Sequence, residues 1–184
     1  MEFRLFYRGE LKSNGSVKHK HAIRECFHKQ LKHLWNQKPL SELKGKLLSG
    51  QEPNGCIRPL EGFVFAPLVQ PRLDLIADVE VTLLRPEEPG SIVTQTGDID
   101  NRLKTLFDSL RMPQKRNEIP TECTPGATDS PFFCLLEDDN LISGLRVSTD
   151  RLLDGVTNPS EVLLLIHVRT KVTRSSFLNL GLSS

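Results

Sequence analysis

The sequence predicts an α+β fold: a small mixed β-sheet with helices packed on one side. Two observations carry this. Strand-patterned runs near the start, in the middle and towards the end of the chain interleave irregularly with two helix-patterned stretches, so no regular βαβ repeat emerges. The 184 residues are 38% hydrophobic and 26% charged, the balance of a soluble globular chain with material for one core, and a single domain over 1–184 is expected.

The elements follow in order. Met1 to Arg8 alternates Phe3, Leu5 and Tyr7 against Glu2, Arg4 and Phe6, a first strand. Ser13-Asn14-Gly15-Ser16 reads as a turn. Lys18 to Trp35 carries Ala22, Ile23, Cys26, Phe27, Leu31 and Leu34 at helical spacing, with Trp35 in the core. Lys18, Lys20, Arg24, Lys29 and Lys32 fall mostly outside that face, and His19, His21, His28 and His33 read as surface histidines. Pro39 to Pro59 reads as a mobile connection with Pro-Asn-Gly turn signals. Phe63–Phe65 and Leu73–Leu84 supply strands, and Pro86 to Gly90 breaks the second. Asn101 to Leu110 is a helix, since Leu103, Leu106, Phe107 and Leu110 recur at i, i+3, i+4 and i+7. A long Pro-, Thr- and Ser-rich loop covers 111–131. Leu141 to Thr149 and Glu161 to Arg169 are the last strands, read as a hairpin-like pair joined through Asp150 to Gly155, and the tail from about 174 is expected to be loosely ordered.

The chemistry concentrates in Gly97-Asp98-Ile99-Asp100-Asn101-Arg102-Leu103-Lys104 and, after the apolar run Pro131 to Leu136, in Glu137-Asp138-Asp139. Asp100 is placed to cap the helix, accepting from its free first-turn N–H groups. Asp98, two residues earlier on an extended approach, projects to the same side. Lys104 and then Asp108 follow at i+4 steps, so contacts along one helix edge can link all three. Two carboxylates this close repel unless a cation lies between them, and magnesium or manganese takes such oxygen ligands while keeping water. Spacing alone leaves both readings standing, a capped helix with a solvated acidic turn or a divalent metal site.

The run from Asp98 to Leu110, with Glu137-Asp138-Asp139-Asn140-Leu141-Ile142 downstream, resembles the signature of the RusA family of Holliday junction resolvases. That resemblance implies a RusA-like fold and a magnesium-dependent endonuclease that nicks branched DNA, with manganese as a possible substitute. It puts metal-binding catalytic aspartates at Asp98, Asp100 and Asp139, a catalytic lysine at Lys104, and supporting groups at Asp138 and Asp108. It also implies a role in DNA recombination and repair, and a homodimer, because a four-way junction is cut on two strands.

Charge distribution fits a nucleic-acid partner. Net charge is +1, yet residues 1–48 hold 11 Lys or Arg against 4 Asp or Glu, leaving 13 against 19 in the remainder. A basic first third beside an acidic centre would supply phosphate contacts and metal ligands from separate regions, with Lys18, Lys20, Arg24, Lys29 and Lys32 as the DNA-binding set; read the other way, Lys12 to Lys46 is simply the solvated face of a helix and its flanks. Two other functions remain compatible: a non-catalytic nucleic-acid-binding accessory protein, and a metal-dependent phosphoesterase acting on a smaller substrate. No apolar run is long enough to span a membrane and no signal-peptide pattern opens the chain, so a cytoplasmic protein is expected. Cys26, Cys56, Cys123 and Cys134 lack metal-site spacing and read as thiols.

Overall fold

A computed structural model of the chain describes residues 1–49, 55–86, 99–125, 130–154, 158 and 160–182. The described architecture is α+β, with three α-helices and two small mixed sheets among these residues. Strand β1 (Glu2–Glu10) leads into helix α1 (Val17–Leu34), helix α2 (Leu40–Leu47), strands β2 (Arg58–Leu60) and β3 (Phe63–Val69), and the long strand β4 (Leu75–Arg85). Helix α3 (Ile99–Leu110), then β5 (Phe132–Leu136), β6 (Ile142–Arg151) and β7 (Glu161–Val172) complete the order.

The larger sheet runs β1-β7-β4-β6 and the smaller β2-β3-β5. β4 alternates buried and half-buried residues along its whole length, and it pairs antiparallel with β7 and parallel with β6. It therefore separates the two strands expected to form a hairpin. β6 takes the edge, where its charged Arg146, Asp150 and Arg151 are exposed and blunt further pairing. Returning from β4 to a parallel β6 needs a long crossover, and α3 and β5 lie within it. The single sheet expected from sequence is thus two, because the wholly buried β5 pairs in parallel with the equally apolar β3, Phe65 opposite Phe132.

Ser16 caps α1, accepting from the His19 N–H at 3.2 Å. Its apolar stripe of Ile23, Phe27 and Leu31, followed by Trp35, packs into one core with Leu5, Val79, Val81 and Ile166 from the larger sheet. Trp35 is a core residue, as its spacing predicted. Two of the four helix histidines are not at the surface: His28 Nδ1 accepts from the Phe133 N–H at 2.8 Å and its ring stacks 4.2 Å from Phe132, while His21 is buried against the same ring. Seven residues apart, they share one face of the helix beside the Ile23-Phe27-Leu31 stripe and meet Phe132, so a face counted on apolar residues alone misses them.

Three connections are more ordered than their composition implied. Leu40, Leu43 and Leu47 give the 39–59 region the short helix α2, with Leu40 and Leu47 buried. The described part of the 111–131 loop folds onto a second small core: Ile119 is buried, and the Arg116 guanidinium lies 5.3 Å from the Phe63 ring centre. The tail also docks. Asn179 donates to the Leu73 carbonyl at 2.9 Å, Leu182 is buried, and the Met1 ammonium donates to the Leu182 carbonyl at 3.0 Å. All four cysteines are free, and burial pushes the Cys56 and Cys134 thiols up to about 12. No described helix is long and apolar enough to cross a membrane.

Burial, reinforced by the Arg24 charge, lowers the His21 pKa below its ordinary 6.5. A histidine depressed in the folded state binds its proton more readily when unfolded, so its contribution is complete above pH 6.5 and is lost as pH falls from there. Urea denaturation at pH 7.5 and at pH 5.5 checks this. The parent should lose more stability over that interval than His21→Gln, and equal losses would refute the assignment.

Candidate functional site

Asp98 lies outside the described residues. α3 begins at Ile99, so Asp100 stands in its first turn rather than before it, where a carboxylate still complements the positive end of the helix dipole. The helix turns Thr105, Leu106, Ser109 and Leu110 inward and leaves Asp100 and Lys104 exposed. Two ties fix this rotation. Thr105 Oγ1 accepts from the Gly15 N–H at 2.9 Å, and Arg102 donates to the Leu11 carbonyl. Gly15 permits that approach, since a Cβ there would sit 2.8 Å from the Thr105 methyl.

Strand pairing sets the direction of the helix. Leu11 and Gly15 follow the end of β1, whose Arg8 is opposite Leu163 of β7, itself opposite Leu84 near the end of β4. At the other end, the chain leaving α3 runs beside the last residue of β5: the Met112 N–H donates to the Leu136 carbonyl at 2.9 Å, and Arg111 pairs with Leu136 in a parallel bridge. The Gln114 side-chain amide donates to the Glu137 carbonyl at 2.6 Å. Asp138 and Asp139 follow at once. Asp138 caps a 3-10 turn over Asp139–Leu141, its Oδ1 accepting from the Asn140 N–H at 3.0 Å, and β6 begins at Ile142 beside Ala77 near the start of β4. Glu137 is committed elsewhere, 2.8 Å from Arg58.

The acidic turn and the last turn of α3 therefore share one electrostatic environment. Burial, then hydrogen bonding to and repulsion by Asp138, raises the Asp139 pKa; Arg111 opposes this and Asp108 adds to it. Asp108 behaves differently. Burial works against its charge, but Lys20 at 2.7 Å and Arg111 at 2.9 Å hold its carboxyl below the usual range. The edge contact expected between Lys104 and Asp108 is thus replaced: both carboxylate oxygens go to other cations, and Lys104 is left exposed.

Not all predicted residues meet. Asp138 and Asp139 are adjacent, and Asp139 feels the Asp108 charge without a contact between them being formed. Asp100 lies about 12 Å along the helix axis from Asp108, eight residues at 1.5 Å each. Among the described residues no three His, Cys, Asp or Glu side chains gather into a metal-holding group. What fits a hard cation is the adjacent Asp138–Asp139 pair, an all-oxygen donor set under like-charge stress.

The basic set on α1 divides. Lys18, Lys29 and Lys32 are exposed, Lys18 lying 3.4 Å from Glu122. Arg24 leaves the DNA-facing set: it is 2% exposed and donates to the carbonyls of Asp108 at 2.6 Å and Arg111 at 3.1 Å. Lys20, one turn earlier on the same edge, is turned onto Asp108. Arg111 and Glu118, 2.9 Å apart, are the site residues the sequence reading missed. The usable signal was Arg111 at i+3 from Asp108. Comparisons with protein-family models, with curated proteins and with solved structures find no match to this chain.

Asp108→Asn would leave Lys20 and Arg111 without their shared carboxylate in a mostly desolvated place. A loss of about 2 kcal/mol is expected in urea denaturation, against less than about 0.5 kcal/mol for Lys32→Met on the exposed edge. Equal small losses would mean that Asp108 is only a surface ion pair.

Proposed function

We propose that this protein is a magnesium-dependent endonuclease that nicks branched DNA, of the RusA type. The observation that carries this reading is the Asp138–Asp139 pair set against the last turn of α3, on the helix that also presents Asp100 and Lys104. Asp139, with Asp138 beside it, would hold the magnesium, and Asp98 and Asp100 are the further ligands assigned by resemblance. Bound there, the ion would lower the pKa of a water and offset charge on the phosphoryl oxygens. The chain supplies the rest. Lys104 is an exposed ammonium on a flexible stem, suited to orienting the scissile phosphate or protonating the leaving oxygen. Lys18, Lys29 and Lys32 are the solvent-facing lysines of α1 that would meet the DNA backbone. Incision of both strands of a junction calls for two such centres, hence a homodimer.

The decisive assay is nicking of a synthetic four-way junction with magnesium, beside a linear duplex and a small phosphodiester. Selective nicking of the junction is expected. Lys104→Ala should slow it at least about tenfold, roughly 1.4 kcal/mol of barrier, while junction binding holds. Binding without nicking would instead favour the accessory protein, and hydrolysis of only the small ester the phosphoesterase.

Manganese binding by calorimetry tests the ligand set separately. Asp139→Asn should abolish it, and if Asp100 shares the same ion, Asp100→Asn should do the same. Parental binding in Asp100→Asn would remove Asp100 from the centre.

A further inference from the structure

Three cations converge where α3 ends. Lys20 and Arg111 take the two oxygens of the Asp108 side chain, and the buried Arg24 takes the main-chain carbonyls of Asp108 and Arg111. Arg111 does more than the other two. Its Nη1 also reaches Glu118 at 2.9 Å and the Met112 carbonyl at 3.1 Å. Glu118 accepts from the Gln114 N–H at 3.3 Å, and Gln114 in turn holds the Glu137 carbonyl, one residue before Asp138. Through its own backbone Arg111 pairs with Leu136, three residues before Asp139.

We propose that Arg111 is the positioning residue of the acidic centre: its planar fork clamps Asp108 and Glu118 so that the end of α3 and the start of the Asp138–Asp139 turn are held together. The role rests on the nuclease reading of the same centre. Two physical points support it. A guanidinium offers nitrogens in a fixed plane and can bridge two carboxylates, whereas a lysine ammonium is a point donor that keeps the charge but not the fork. Arg111 is also the cation that counters the negative neighbours of Asp139. Asp108, fully taken up by Lys20 and Arg111, serves this clamp and is not a metal ligand.

Charge and geometry can be separated with Arg111→Gln and Arg111→Lys, read by manganese affinity in calorimetry, junction nicking and thermal melting. Affinity should follow charge. Removing a unit charge several ångströms from a divalent ion in a partly screened site should tighten manganese binding by about fivefold in Arg111→Gln and leave it near parental in Arg111→Lys. Nicking should follow the fork, falling at least about tenfold in both folded variants. Parental nicking rates in both, or parental affinity in Arg111→Gln, overturn the proposal. So does a rate loss that matches only the unfolded fraction seen by melting. If Arg111→Gln fails to fold, Arg111→Lys still decides, with Glu118→Gln expected to slow nicking in the same way. A parent that neither binds manganese nor nicks fails the nuclease reading itself and takes this role with it, whereas an active parent matched by its variants removes Arg111 alone.

Discussion

The candidate site depends on one short stitch, the pairing of Arg111 and Met112 with Leu136. Buried carbonyls must find donors, and the Leu136 carbonyl at the end of a fully buried strand finds the Met112 N–H. That bond brings two segments about 25 residues apart in sequence into register and puts the end of α3 within electrostatic reach of Asp139. It also seats Met112 in the small core with Phe63, Phe65, Ile119, Phe132 and Cys134, which gives the chain after α3 an apolar floor. The described part of the long loop can then be ordered despite its composition.

Around the stitch, charge placement follows the same burial. Arg24 lies within the packed face of α1, where desolvation pushes its guanidinium pKa down. The group retains its place because it points at the main-chain carbonyls of Asp108, in the last turn of α3, and of Arg111 just after it, the negative end of that helix. A basic helix thus carries two populations. One holds the fold by gripping α3, and the other, Lys18, Lys29 and Lys32, faces solvent. Net charge by region could not distinguish them, because the division depends on which edge of α1 meets α3.

Periodicity made much of the frame legible. β1, α1, β4, α3 and β7 emerge close to their expected limits, and Trp35 takes its expected place in the core. Partner choice was not legible. Glu161–Arg169 reads as a strand from its own residues, but that it pairs with β1 and β4 rather than β6 is decided by β4, whose buried face needs neighbours on both sides. The same limit hid the second sheet, since Phe132–Leu136 shows only that it is buried and not that β3 lies beside it. Polar residues at buried positions were a further loss. His28 counts as hydrophilic in any pattern, yet its ring nitrogen is the acceptor for the Phe133 N–H. The acidic motif itself was visible, because like charges at close spacing stand out wherever the fold carries them.

The geometry sharpens what that motif can mean. An ion bound by carboxylates lies about 2–2.6 Å from each oxygen, so side chains at opposite ends of a three-turn helix do not share one unless the chain beyond the helix bends back to meet it. Asp100 belongs to the end of α3 tied to Leu11 and Gly15, and Asp108 to the end stitched to β5. Lys104 lies about 6 Å along the axis from either. It has a four-carbon stem, takes no part in the Asp108 clamp and stays on the exposed edge between the two ends. The contacts of Lys20, Arg24 and Arg111 on the packed side hold the helix so that this edge stays exposed.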